Sequence, residues 1–199
     1  MNILEFYINK YKQFVLLIIG LPSTGKSLIA REFKIDLHLP IININNYINT
    51  NNHIDTVIDN ITFKLYDHEN NYNWNKLNED VNKQKTNGVI LYGNYIDIDK
   101  INFNIDFIFF IDMSIQKCKT ILLKKKNILF DDSEINDKNK KINIYFKQIL
   151  KPRYDNLKLK LIVNKYMNWT DIGEKNEIFT KIYDQLYDVL MNLLKKNNQ

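Results

Sequence analysis

Residues 14–19 (FVLLII) are apolar without interruption, and such a short branched run predicts a strand buried on both faces. The run breaks into glycine, proline and small polar residues, then resumes from Lys26 with Leu28, Ile29 and Phe33 at helical spacing. Further along, residues 39–44 predict a short strand, 74–84 a helix, and 89–91 a strand entered from an Asn87-Gly88 turn. Residues 107–111 read as another buried strand closed by Asp112, and 115–126 as a helix that grows basic. Residues 127–141, with the stretch DDSEINDKNKK, show no apolar period and predict a mobile loop, part of a lid region near 119–141. A helix over 142–150 is expected to stop at Pro152, a last strand to occupy 159–163, and a long amphipathic helix to fill 178–194. Its apolar positions are Ile178, Ile182, Leu186, Val189, Leu190 and Leu193. Alternating elements of these lengths predict one α/β domain over 1–199, three layers deep, with a five-stranded parallel sheet covered by helices on both faces.

The break after residue 19 carries chemistry. Gly20, four residues, then Gly25, Lys26 and Ser27 is the spacing of a phosphate-binding P-loop, placed as that loop requires between a strand and a helix. A glycine-rich turn there aims backbone N–H groups inward, and the helix N-terminus adds partial positive charge. Gly20, Leu21, Pro22, Ser23, Thr24, Gly25, Lys26 and Ser27 are the expected cradle for ATP. Lys26 is expected to reach the β and γ phosphates, and the Ser27 hydroxyl to ligate Mg2+.

Composition narrows the picture only in places. The chain carries 28 basic and 23 acidic residues, net +5, which suits a polyphosphate ligand. Only Arg31 and Arg153 are arginines, so groove reading by bidentate forks is disfavoured and no nucleic-acid partner is expected. Cys118 is the single cysteine, excluding an intramolecular disulfide and a cysteine-cluster zinc site, and is expected to be a buried apolar thiol. No apolar run approaches the length of a membrane span, and Glu5 interrupts the first one; a soluble, cytoplasmic protein is the expectation.

Beyond the P-loop, the segments LYDHENNYNW (65–74), GVILYGNYI (88–96), DFIFFIDMSIQKC (106–118) and YFKQILKPRYDNLKLKLIV (145–163) are similar in order and spacing to segments of the uridine kinase and nicotinamide riboside kinase family. The resemblance spans about 14–163 and implies a P-loop nucleoside kinase fold using ATP and Mg2+. It places Asp67 where the family has an acidic residue that hydrogen-bonds the sugar hydroxyls. A carboxylate that accepts two hydrogen bonds suits a vicinal diol. His68 follows as in uridine kinases, with a surface or packing role favoured for it. Asp112 ends a strand near the phosphates and is expected either to hold magnesium through a water or to cap the next helix. The resemblance also permits a homo-oligomer, a dimer or tetramer.

Several positions depart from the family. Asn45 stands where the family has its catalytic aspartate, and an amide can orient a hydroxyl but not take its proton. Tyr92 replaces a glutamate that helps hold the metal's water shell. Ile121 and Leu122 replace a lid arginine pair, leaving Lys124, Lys125 and Lys126 to supply positive charge. The favoured reading is an ATP-dependent nucleoside kinase in which Asp67, Asp55 or Asp59 supplies the missing carboxylate. There, Lys26 and Lys125 serve the transferred group, Lys124 assists the nucleotide, and Asp67, Asn45 and Tyr47 orient a nucleoside-like acceptor. The alternatives are a degenerate kinase acting as a nucleotide-binding module, and a nucleoside monophosphate kinase.

Overall fold

The computed structural model of the chain describes residues 3–126, 135–161, 166–169 and 175–196, with the side chains at 123–126, 135–139, 166–169, 175–178, 193–194 and 196 excepted. Its centre is a parallel sheet of five strands: β1 (Val15–Gly20), β2 (Ile41–Asn43), β5 (Val89–Gly93), β6 (Phe107–Ile111) and β7 (Tyr166–Trp169), in the order β2-β5-β1-β6-β7. β3 (Ile54–Ile58) and β4 (Ile61–Leu65) form a separate antiparallel hairpin. The helices are α1 (Ile3–Tyr11), α2 (Lys26–Leu37), α3 (Trp74–Gln84), α4 (Ile115–Lys126), α5 (Ile135–Ile144), α6 (Lys151–Leu161) and α7 (Lys175–Lys196). Among the described residues no helix is long and apolar enough to cross a membrane.

The uninterrupted apolar run of β1 is explained by its place. It lies between β5 and β6, and its side chains alternate between two cores. Val15, Leu17 and Ile19 face Leu77 and Val81 of α3, Cys118 of α4, and Tyr154 and Leu157 of α6. Leu16 and Ile18 face Leu4 and Tyr7 of α1, Ile29 and Phe33 of α2, and Ile182, Leu186 and Leu190 of α7. Each side is sealed by helices, which gives the three layers expected from a parallel sheet. The chain reverses order about β1, so the crevice at the carboxyl ends of β1, β5 and β6 is where this architecture places ligands.

Three expectations need correction, and one element was not foreseen. Residues 135–141 are not loop but the start of α5, while residues 127–134 lie outside the described residues. The helix does not stop at Pro152. It passes through a wide turn, Tyr145–Leu150, in which the Lys151 N–H donates five residues back to the Phe146 carbonyl, and continues as α6. Pro152 therefore enters in the first turn of a new hydrogen-bond frame, where its missing N–H costs little. Residues 159–161 are helical rather than strand, because the buried positions are Tyr154, Leu157 and Leu161 while Leu159 points to solvent. The fifth strand is instead β7; residues 162 and 163 lie outside the described residues. The hairpin went unforeseen since its turn uses Asp59 and Asn60, both at positive φ, in place of the usual glycine pairing.

Candidate active site

β1 delivers Gly20 against the end of β6, where an added Cβ would lie 2.7 Å from the Ile111 carbonyl oxygen. Only glycine lets the chain leave the sheet there. Ser23 (φ 68°) and Gly25 (φ 86°) then turn the backbone through the left-handed region. Such a turn concentrates inward-pointing N–H groups. α2 starts with no side-chain cap and no acidic residue in its first turn. Its first N–H groups and the positive end of its dipole thus remain available to an anion. The Thr24 hydroxyl donates to the Leu21 carbonyl (2.9 Å), and the buried Lys26 ammonium donates to that carbonyl (2.6 Å) and to Thr24 Oγ1 (3.2 Å). A neutral carbonyl and a hydroxyl compete poorly with a phosphate for an ammonium. The donor set of the loop fits a polyphosphate.

Behind the loop, Asp112 follows β6 and forms an ion pair with Lys158 of α6, whose ammonium also lies 5.6 Å from the centre of the Phe110 ring. Asp112 does not cap α4; the Ser114 hydroxyl accepts from the Lys117 N–H instead. Among the described residues no group of three acidic, histidine or cysteine side chains could hold a metal ion. Cys118 is buried as expected. Burial raises its thiol to about 11, although the nearby Lys26 charge pulls the other way.

Across Leu21 and Pro22 lies a cleft walled by Asp67, Asn94, Tyr95, Leu150, Arg153 and Tyr154. Arg153 Nη2 donates to the Asp67 carbonyl (2.7 Å), Nη1 reaches Asp67 Oδ1 at 3.4 Å, and the guanidinium lies 5.0 Å from the centre of the Tyr95 ring. Burial, followed by the charge of Asp67, keeps the Tyr145 phenol protonated well above the usual tyrosine range. Tyr95 donates to Glu69 (2.9 Å). The Tyr154 hydroxyl donates to the Ile111 carbonyl (2.7 Å), tying α6 to the same oxygen that crowds Gly20. Arg153, Tyr145 and Tyr95 were not singled out from the sequence. The available signal was that Arg153 is one of two arginines in a lysine-rich chain.

The other expected residues separate. Asn45 lies in a short 3-10 turn after β2, and its Oδ1 accepts from the Asn94 N–H (3.3 Å), which brings it to the rim of the cleft. Tyr47 points to α3 and donates to Asp80 (2.9 Å); burial and that bond raise its phenol to about 12. His68 caps a 3-10 turn by accepting from the Asn70 N–H (3.3 Å), a packing role. Asp55 and Asp59 sit on the β3–β4 hairpin, beside His53 (3.4 Å) and Gln148 (3.5 Å). Tyr92 packs among the core residues on the α2 side of the sheet, while Ile121 and Leu122 pack against the opposite core. The side chains of Lys124, Lys125 and Lys126 lie outside the described residues.

Sheet order, P-loop and flanking helices together define a three-layer α/β P-loop fold. No protein-family profile and no curated protein matches the chain in sequence. Among solved structures it is similar to a gluconokinase from Sinorhizobium meliloti 1021, with a TM-score of 0.61 at 11% identity over 92% of this chain and 97% of that one. A shikimate kinase from Bacteroides thetaiotaomicron matches with a TM-score of 0.43 at 13% identity, over 88% of this chain and 99% of that one. A thymidylate kinase from Candida albicans gives 0.47 at 13% identity, over 94% of each chain.

Proposed function

We propose that this protein is an ATP-dependent phosphotransferase that moves the γ-phosphoryl group to a primary hydroxyl of a nucleoside-like small molecule. The observation that carries the reading is the juxtaposition of an uncapped P-loop with a small adjoining cleft walled in part by Asp67, Asn94 and Arg153, the two sharing Leu21 and Pro22. The gluconokinase likeness supports the kinase class through the fold. In the reaction the acceptor oxygen bonds to the γ-phosphorus, the bond from that phosphorus to the bridging oxygen breaks, and ADP departs. Lys26 and the N–H groups of Leu21 and of residues 23–27 hold the phosphates. Ser27 would hold the metal, and magnesium would neutralise phosphate charge there. Asp67 accepts from acceptor hydroxyls, with Asn45 orienting the attacking one. Since Asn45 cannot take its proton, the proton ends on an oxygen of the transferred phosphate, which a loose transition state tolerates.

A second reading, a nucleotide-binding module without transfer, is favoured by the Asp112–Lys158 pair and by Tyr92, half-buried against the core, which leave few acidic groups for a metal's water shell. Incubation with γ-labelled ATP, magnesium and a pool of nucleosides and nucleoside monophosphates separates these readings. Labelled monophosphate, absent with Lys26→Ala, supports the kinase. Labelled diphosphate moves the acceptor to a nucleoside monophosphate, and bound ATP with no labelled product supports the module. The Lys26→Ala variant should lose ATP binding while its circular dichroism and melting curve stay those of the parent. Unchanged ATP affinity would sink the P-loop assignment.

A further inference from the structure

Arg153, in the first turn of α6, lines the small cleft together with Leu21 and Pro22 of the phosphate loop and with Asp67, Asn94 and Tyr95. Its plane is set by its neighbours. Nη2 donates to the Asp67 carbonyl at 2.7 Å, and the guanidinium lies 5.0 Å from the centre of the Tyr95 ring, whose hydroxyl is anchored on Glu69. The remaining contact, Nη1 to Asp67 Oδ1 at 3.4 Å, is long for a hydrogen bond. Two of a guanidinium's five N–H donors are thus engaged, and three have no partner among the described residues. The side chain is 23% exposed, so that edge is open to a ligand. The Lys26 ammonium donates to the Leu21 carbonyl at 2.6 Å. Leu21 therefore belongs both to the loop lysine's hydrogen-bond shell and to the cleft wall that holds Arg153.

We propose that Arg153 is a catalytic residue whose free N–H edge binds equatorial oxygens of the γ-phosphoryl group while that group passes from the loop to the acceptor. This deepens the kinase reading above and rests on it. The chemistry selects an oxyanion. A planar fork of donors matches two oxygens of a phosphoryl group, and arginine stays protonated, so it stabilises charge without exchanging a proton. As the bond from acceptor oxygen to phosphorus forms and the bond to the bridging oxygen of ADP breaks, charge spreads over the equatorial oxygens. A cation already held in place stabilises that charge without reorganising. Lysine gives charge but no fork, and of the 28 basic residues only Arg31 and Arg153 carry one. When acceptor hydroxyls occupy the Asp67 carboxylate, the long Nη1 contact parts, while the 2.7 Å bond to the Asp67 carbonyl keeps the guanidinium in place. Acceptor binding thus releases a donor to the phosphoryl group.

The test compares wild type with Arg153→Gln and Arg153→Lys in magnesium-ATP, on the nucleoside or nucleoside monophosphate that wild type phosphorylates best. The kcat should fall about 10²- to 10³-fold with glutamine and at least about tenfold with lysine, while acceptor KM and ATP affinity stay within about threefold. Glutamine can still donate to the Asp67 carbonyl, and lysine keeps charge and length, so the lysine variant carries the comparison if the glutamine variant melts early. A raised acceptor KM with kcat kept would make Arg153 a support for Asp67 and overturn the assignment, as would unchanged kinetics. If wild type transfers no phosphate, the kinase reading fails separately, and calorimetric titration with magnesium-ADP plus aluminium fluoride, a mimic of the phosphoryl group in transfer, decides the role of Arg153. Binding of the mimic at least about tenfold weaker in Arg153→Gln, with magnesium-ADP alone bound equally, supports it. Equal affinity for the mimic, or no binding of it by wild type, overturns it.

Discussion

Asn45 is the residue whose chemistry least suits its position. It reaches the rim of the cleft proposed for the acceptor, held by the Asn94 N–H on Oδ1, yet it can offer no base. Aspartate is nearly isosteric and keeps an oxygen for that N–H. Asn45→Asp should therefore leave the fold intact and raise kcat by about 10²-fold, the lower end of general-base assistance, with a rate that climbs as pH passes through the new carboxylate's pKa. Unchanged kcat across that range would show that residue 45 is remote from the attacking oxygen. The phosphate loop was legible because its residues are contiguous and each has one conformational reason to be there. Of the residues that wall the cleft beside the loop, the sequence singles out Asp67 but neither Tyr95 nor Arg153. Tyr95 and Arg153 come together from separate segments, and an aromatic in a chain with 12 tyrosines announces nothing until folding places it.

At the scale of elements, the strands 107–111 and the helices 74–84 and 115–126 follow from apolar period alone, and the structure has them at those bounds. Reading failed where a local rule met a tertiary accommodation. Pro152 announces a helix end, but the wide turn before it absorbs the missing donor. Leu159 and Leu161 alternate like a strand, yet Tyr154, Leu157 and Leu161 bury one helical face. Packing of α6 on β6 depends on Tyr154, whose hydroxyl donates to the Ile111 carbonyl and whose ring lies 4.5 Å from that of Phe110. Tyr154→Phe keeps the ring and strands the carbonyl. It should lower unfolding free energy by about 1–3 kcal/mol in a urea titration and weaken acceptor binding through the neighbouring Arg153. Full retention of stability would mean that the carbonyl finds water.

For the molecule as a whole, Tyr7 and Tyr72 are both buried, and desolvation leads the causes that hold their phenols protonated beyond the ordinary range. Unfolded tyrosines ionise near pH 10 and the folded ones resist, so the stabilisation is complete below about pH 10 and is lost as pH rises toward the folded values. Thermal melts should be flat from neutrality to about pH 9.5 and then fall. Each of the two tyrosines costs up to about 1.4 kcal/mol per pH unit, and Tyr7→Phe should flatten the descent. A melting temperature constant to pH 11 would contradict this. The wide turn at Tyr145–Leu150 has its own consequence at this scale. One surplus residue in a turn advances everything downstream by about 100° of azimuth. Arg153 meets Asp67 because the helix is over-filled by that residue, so a chain shortened by one position there would still be helical from end to end, with its guanidinium turned away from Asp67.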